Sequence, residues 1–297
     1  MTPQHNLRGM LFMLLGVSFL SSMDSVVKAL LNLGVPVIEI MAIRGWIITC
    51  VLLASLPLQG GWKVLTTSRI KLHLARTMIG FFAPLCFFMS LKYLPLADTT
   101  AIFFCTTFFM TAGSVFVLGE QVGIHRWSAV VFGFIGILIV SSPGTESFHP
   151  ASILAVTAGA AYAGMVLSGR LLTRTDSPFK LVFYFNAFNT LIATALLPLV
   201  WNAPSAEVIL LMFFVSALAL AGYFCLTHAI SIAPIGALAP IEYIALVWAA
   251  VLGYLFWQEI PSTSAWFGMG IIILAGLYIM WRESNTSVQS AAPLPSK

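Results

Sequence analysis

Ten runs of mostly apolar residues, separated by short breaks of proline, glycine and charge, constrain this sequence more than any other feature. A helix that crosses the hydrocarbon core of a bilayer needs about 20 such residues. The runs are Leu7–Leu31, Val37–Leu58, Leu72–Leu91, Leu96–Leu118, Trp127–Val140, Ala151–Leu172, Phe179–Val200, Val208–Ile230, Ile235–Trp257 and Thr263–Trp281. The fifth is short; it either extends back to Gly123 or crosses a thin place. Only 8% of the 297 residues are charged and 60% are hydrophobic, whereas an ordinary soluble domain is about 25% charged. So little charge cannot cover a surface in water. In lipid the backbone must satisfy its own hydrogen bonds, which continuous helices do. The expected fold is an all-α integral membrane protein with ten transmembrane helices.

The net charge is +4, and it sits in the breaks. With the N-terminus in the cytoplasm, the cytoplasmic segments hold Arg8, Lys63, Arg69, Lys71, Arg76, Arg126, Arg170, Arg174, Lys180, Arg282 and Lys297, eleven of the 14 Lys and Arg residues. Lys28 and Lys92 fall near the other face, and Arg44 lies inside a helix. This asymmetry predicts a multi-pass protein with both termini cytoplasmic; it is not the footprint of a nucleic-acid partner. The first run exceeds the roughly 7–15 apolar residues of a signal peptide, and is read as the first membrane helix. The polar stretch 284–297 is expected to be a disordered cytoplasmic tail. Cys50, Cys86, Cys105 and Cys225 all lie within apolar runs and form no C-x-x-C, so they read as small buried residues and not as disulfides or metal ligands.

The chain also repeats itself. Pro95 and Glu120 are 25 residues apart, as are Pro234 and Glu259, and a tryptophan follows each Glu by seven (Trp127, Trp266). Cys86 and Cys225 share the same offset of 139. Earlier in each half the offset is 142, pairing Met23 with Met165, Lys28 with Arg170 and Pro36 with Pro178. Seven pairs in register mark a duplication, with units at 1–145 and 146–283. Each unit has five helices, an odd number, so the second must enter the membrane from the opposite side. Two inverted five-helix repeats suit alternating access, with substrate held near the midplane where they meet.

Leu91–Val140, with Pro95, Leu118-Gly119-Glu120 and Gly133-x-x-Gly136, resembles the end of an EamA-type repeat. Leu226–Met280, with Pro234, Trp257-Gln258-Glu259 and Gly276, is its partner. Nearly the whole chain is thus similar to the drug/metabolite transporter (DMT) superfamily. The resemblance implies ten helices in two repeats, an inner-membrane location, cytoplasmic termini and, through the superfamily's exporters of aromatic and other amino acids, a substrate class. The sequence departs from that pattern in one respect. A proline often found about 13 residues before the Glu is replaced by Thr107 and Leu246, so any break in the fourth and ninth helices is expected to differ from the usual one.

Ionisable residues at membrane depth are few, and each is a functional candidate because it is costly there. Arg44 reads either as a clamp for a substrate carboxylate or as a structural ion, with Glu39 as its neighbour. Its repeat equivalent is Asn186. Glu242 lies about eight residues into the ninth helix, a depth of about 12 Å. It is a candidate for proton coupling or for pairing with a substrate amine. Asp24 and Lys28, at i and i+4, share a face and favour a local salt bridge. Asp98 reads as a helix-start carboxylate, Glu120 and Glu259 as loop anchors, and His228 as a hydrogen-bonded structural histidine more readily than a relay. Phe82, Phe103, Thr107, Tyr162, Tyr223, Tyr243 and Trp248 complete the candidate substrate lining, since buried Tyr and Trp carry a polar atom that needs a partner.

The leading functional reading is a secondary transporter exporting aromatic or neutral amino acids or related small metabolites. Its partners would be the small-molecule substrate, membrane lipid and protons. A carrier of drugs or other metabolites is the alternative. An intramembrane enzyme or a scaffold is the reading from another class, but no H-E-x-x-H or P-loop occurs and His5, His73, His125, His149 and His228 are scattered. No cofactor or metal is expected.

Overall fold

The computed structural model describes residues 3–119, 122–145, 148–173, 175–233 and 235–290. The described residues form helices and no strands. In order they are α1 (Pro3–Asn32), α2 (Val37–Ala54), the short α3 (Leu56–Gln59), α4 (Ile70–Leu91), α5 (Leu96–Phe103), α6 (Cys105–Leu118), α7 (Ile124–Ser141), α8 (Ala151–Leu172), α9 (Pro178–Leu196), α10 (Ala206–Ile232), α11 (Ile235–Glu242), α12 (Ile244–Trp257) and α13 (Thr263–Ser290). Eight stretches are long and apolar enough to span a bilayer, with α5–α6 counted as one. Two shorter apolar helices, Trp127–Ser141 and Thr263–Tyr278, fill the fifth and tenth places. Residue Gly123 caps α7, which is the longer of the two starts expected for that helix. Pro57 separates α2 from α3 within the second run, because it lacks the N–H that would continue the ladder. Residues Glu120 and Arg174 lie outside the described residues, and α13 continues through Ser290 into the segment expected to be a tail.

Local chemistry explains the boundaries. The Ser177 and Ser205 hydroxyls accept from the Lys180 and Val208 backbone N–H groups at 3.4 and 3.3 Å, and Pro178 occupies the first turn of α9. Gly119, at φ 69°, closes α6 in the left-handed conformation that glycine adopts freely. Inside the helices, hydroxyls turn back on carbonyls one turn earlier, as in Thr49 to Gly45 O, Thr100 to Leu96 O and Ser216 to Met212 O, all at 2.8 Å. This removes the cost of carrying them in an apolar medium.

The helix pairings come in matched sets. Counted as spans, the first packs on the eighth (α1 on α10) as the sixth packs on the third (α8 on α4). The second packs on the eighth as the seventh packs on the third. The first packs on the two-part ninth as the sixth packs on the two-part fourth. The second–seventh, fourth–ninth and fifth–tenth contacts each map onto themselves. At the last of these, α7 and α13 meet backbone to backbone: a Cβ on Gly268 would lie 2.6 Å from the Gly136 carbonyl oxygen. Only residues without side chains permit that approach.

The fourth and ninth spans are each broken. Phe104 separates α5 from α6 and Tyr243 separates α11 from α12. The two residues are 139 positions apart, the offset of the repeat. The hydrogen bonds that tighten the two breaks also correspond: Thr107 N–H to Phe104 O and Leu246 N–H to Tyr243 O, each 3.1 Å and each three residues long. Neither break has a proline at its own position, although Pro240 lies in α11.

Candidate functional site

Ionic groups at interior positions of the bundle include Asp24 on α1, Arg44 on α2, Arg76 on α4 and Glu242 on α11. Arg44 acts electrostatically on Asp24 without forming an ion pair with it. The Arg44 Nη1 group lies 3.3 Å from Met23 Sδ, and its guanidinium sits 5.5 Å over the Phe88 ring. Two expectations fail here. Glu39 does not pair with Arg44; its carboxylate accepts from the Asn202 N–H at 3.4 Å. Nor do Asp24 and Lys28 pair along their helix.

Lys28 reaches across to the other half of the chain instead. Its Nζ pairs with Glu259 and donates to Leu94 O at 2.9 Å, 5.4 Å from the Trp257 ring. The second Glu259 oxygen accepts from Leu96 N–H at 3.0 Å. Glu259 therefore caps α5 from outside it. Asp98, in the first turn of α5, makes no cap hydrogen bond, and its Oδ1 is buried without a partner among the described residues. A lysine already held by a backbone carbonyl meets a carboxylate already held by a backbone N–H, and no neighbour at i+4 offers as much.

The second interior cluster centres on Tyr162. The groups acting electrostatically on its hydroxyl are Tyr223 from α10, Glu242 from α11 and Arg76 from α4. Tyr162 and Tyr223 are 37% and 50% exposed and Glu242 is exposed as well, although they come from three different helices of the bundle. That combination describes a cleft within the bundle. Its apolar wall is Phe103, edge-on to Tyr162 at 5.6 Å and to Phe87 at 5.0 Å. Glu242 makes no hydrogen bond or ion pair with any described residue.

Arg76 was expected in a cytoplasmic segment. It lies instead in α4, which begins two residues earlier than the apolar run, and is 9% exposed. It donates to Met165 O and Leu181 O, both at 3.1 Å, and sits 5.2 Å over Phe185. The signal that could have found it is its spacing: six residues after Ile70, with only apolar and small residues following.

The other expected lining residues are dispersed. Asn186 donates to Gly45 O at 3.1 Å and to Thr49 Oγ1 at 2.7 Å, joining α9 to α2. Thr107 closes the break in the fourth span. Tyr243 turns away from the cleft and stacks on Phe104, with centroids 5.2 Å apart at 18°. Its hydroxyl fills the place where Gly276 has no side chain. Trp248 has a buried Nε1 without a partner among the described residues. Phe82 lies with Met78, Ile79 and Thr157 in an open groove of ≈ 540 Å³ between α4 and α8. His228 makes ring contacts, stacking on Phe224 and meeting Phe12 edge-on.

A separate polar knot gathers on Asp176, in the loop between α8 and α9. Asp176 accepts from Thr67 Oγ1 at 2.9 Å and meets His73 Nε2 and Lys180 Nζ, both at 3.2 Å. Lys180 also donates to Thr66 O at 2.6 Å. Burial alone pushes the Asp176 carboxyl upward, but the hydrogen bonds from Thr67, Lys180 and His73 outweigh it and hold the group below its ordinary range. Among the described residues, no group of three or more His, Cys, Asp or Glu could hold a metal ion.

Comparison with known proteins bears on the whole chain. The model of the EamA-like transporter family matches residues 7–142 and again 149–281. The S-adenosylmethionine uptake transporter of Rickettsia prowazekii is 27% identical over 266 residues, covering 90% of each chain. The riboflavin transporter of Brucella anthropi is 30% identical over 265 residues, covering 86% of this chain and 91% of its own. The pseudopaline exporter of Pseudomonas aeruginosa is 27% identical over 272 residues, covering 90% and 94%. A solved crystal structure aligns with 96% of this chain and 99% of its own at a TM-score of 0.62 and 15% identity, a likeness of fold alone.

Proposed function

The chain belongs to the EamA-like transporter family, and from that premise we propose that it is a secondary carrier moving small amphipathic metabolites with an aromatic part, amino acids or compounds built on one, across the inner membrane by alternating access. Membership of a transporter family sets aside the enzyme and scaffold readings. In this proposal the repeats at 1–145 and 146–283 lie inverted, with both termini cytoplasmic. Relatives named for S-adenosylmethionine, riboflavin and pseudopaline support a substrate that combines charge with a flat or apolar part.

One observation carries the reading. The fourth and ninth spans are broken at equivalent residues, Phe104 and Tyr243, and the two breaks touch. Discontinuous helices that meet where two repeats join are where carriers of this type hold substrate. The cleft around Tyr162 lies beside that junction, since Glu242 and Phe103 are the residues immediately before the two breaks. An aromatic wall with single charges of each sign suits a zwitterion with a ring better than a purely apolar drug.

Counterflow in liposomes containing only this protein tests the proposal. Vesicles preloaded with an aromatic amino acid, S-adenosylmethionine or riboflavin should accumulate the labelled compound faster than protein-free vesicles, for at least one of these. Indistinguishable rates for all three classes would overturn it.

A further inference from the structure

Resting on that carrier reading, we propose that Glu242, with Tyr162 and Tyr223, forms a subsite for a cationic group on the transported molecule, an ammonium or an onium centre such as a sulfonium. The three interior cations are each held by groups of the protein. Arg76 has two carbonyls and the Phe185 ring, Arg44 has Met23 Sδ and the Phe88 ring, and Lys28 has Glu259. Glu242 has none among the described residues, yet it presents its carboxylate to a cleft in a medium that penalises an uncompensated charge. A positive charge on what enters the cleft would compensate it.

The surroundings fit a cation better than a bare proton. Glu242 and Tyr223 both act electrostatically on the Tyr162 hydroxyl, and the face of a tyrosine ring attracts ammonium and onium groups. Phe103 and Phe87 continue the aromatic wall. Arg76 forms no ion pair with Glu242; its guanidinium is held by the Met165 and Leu181 backbone oxygens.

The repeat gives the subsite a direction. Phe103 stands 139 positions before Glu242, so the two occupy equivalent places just ahead of the breaks. One half offers an acid where the other offers a phenyl ring. A molecule with a cationic end and an apolar end would bind with its cation toward the second repeat and its apolar part toward Phe103.

The test is binding to the full-length carrier in detergent, followed by titration calorimetry. The probes are benzyltrimethylammonium, which cannot lose its charge, L-phenylalaninamide, and the neutral N-acetyl-L-phenylalaninamide. Both cations should bind at least about tenfold more tightly than the neutral compound, and E242Q should remove that preference. Equal affinities for charged and neutral probes, no binding of either cation, or an unchanged preference in E242Q would overturn the subsite. If E242Q does not fold, Tyr223→Leu decides: it should weaken benzyltrimethylammonium more than the neutral probe, and an equal loss for both refutes the proposal. Counterflow by the unaltered protein remains a separate readout, so a carrier without cation preference would sink the subsite and leave the transport function standing.

Discussion

Phe104 and Tyr243, 139 residues apart, stack ring on ring with centroids 5.2 Å apart and planes within 18°. They are copies of one position in the duplicated unit. Each interrupts a membrane-spanning helix, and each carbonyl accepts from the residue three further on. A stack of equivalent residues places the local symmetry axis between the two rings.

That stack should be measurable as a coupling. Phe104→Ala and Tyr243→Ala are each expected to lower thermal stability in detergent, by about 3–5 kcal/mol if the site does not collapse. The double variant should lose less than the sum, by about 0.5–1.5 kcal/mol. Strict additivity would show that the rings are neighbours without an energetic contact.

Lys28 and Glu259 join the first helix to the end of the ninth span, with side chains 5% and 24% exposed. Removing one partner leaves a charge stranded. Lys28→Met is expected to cost about 3–5 kcal/mol, and adding Glu259→Gln should recover part of that loss. In liposomes, a cysteine at Leu94 should react faster with a membrane-impermeant maleimide in Lys28→Met than in the parent protein. An unchanged rate would mean that the pair does not hold that end closed.

Asp176 gives a pH dependence whose sign is fixed. Its carboxyl is held below the ordinary range in the folded protein. Its contribution to stability is therefore complete above the unfolded value of about 3.9 and is lost as pH falls through the lower folded value. The stability gap between the parent and Asp176→Asn should be constant from about pH 7 to 5 and shrink toward about pH 3. Thermal unfolding across that range checks it; a gap that widened in acid would contradict the assignment.

Arg44 separates a structural role from a substrate role. Arg44→Ala strands Asp24, so Asp24→Asn should restore stability to the Arg44→Ala background whatever Arg44 does in transport. Flux of carboxylate-bearing substrates should stay depressed in that double variant, by about tenfold relative to neutral ones, the loss of one charge-assisted contact. Equal flux of both classes would confine Arg44 to holding Asp24.

The architecture was legible because lipid imposes long apolar runs and duplication imposes fixed offsets. Ten runs and two offsets are readable without any contact. What escaped depends on contacts across the chain. Lys28 has a carboxylate four residues before it and still pairs with Glu259, because the start of α5 needs an acceptor for the Leu96 N–H. Arg76 looked like part of a basic cytoplasmic loop, because hydropathy falls off before α4 does. The breaks at Phe104 and Tyr243 carry no proline of their own, and only the hydrogen bonds around them reveal them. Among the interior ions, spacing along one helix drew attention to Asp24 and Lys28, whereas the cleft is built from four separate helices.

The mirrored set of helix contacts has an ancestral reading. Two copies of a five-span polypeptide, one facing up and one facing down, would make the same contacts as an antiparallel homodimer, including the self-matching seam at Gly136 and Gly268. Such a dimer is obliged to carry every polar side chain twice. A single polypeptide is free of that obligation: it carries an acid at Glu242 where the counterpart is the phenyl of Phe103, and a guanidinium at Arg44 where the counterpart is the amide of Asn186. A symmetric shell can thereby present unlike side chains from its two halves.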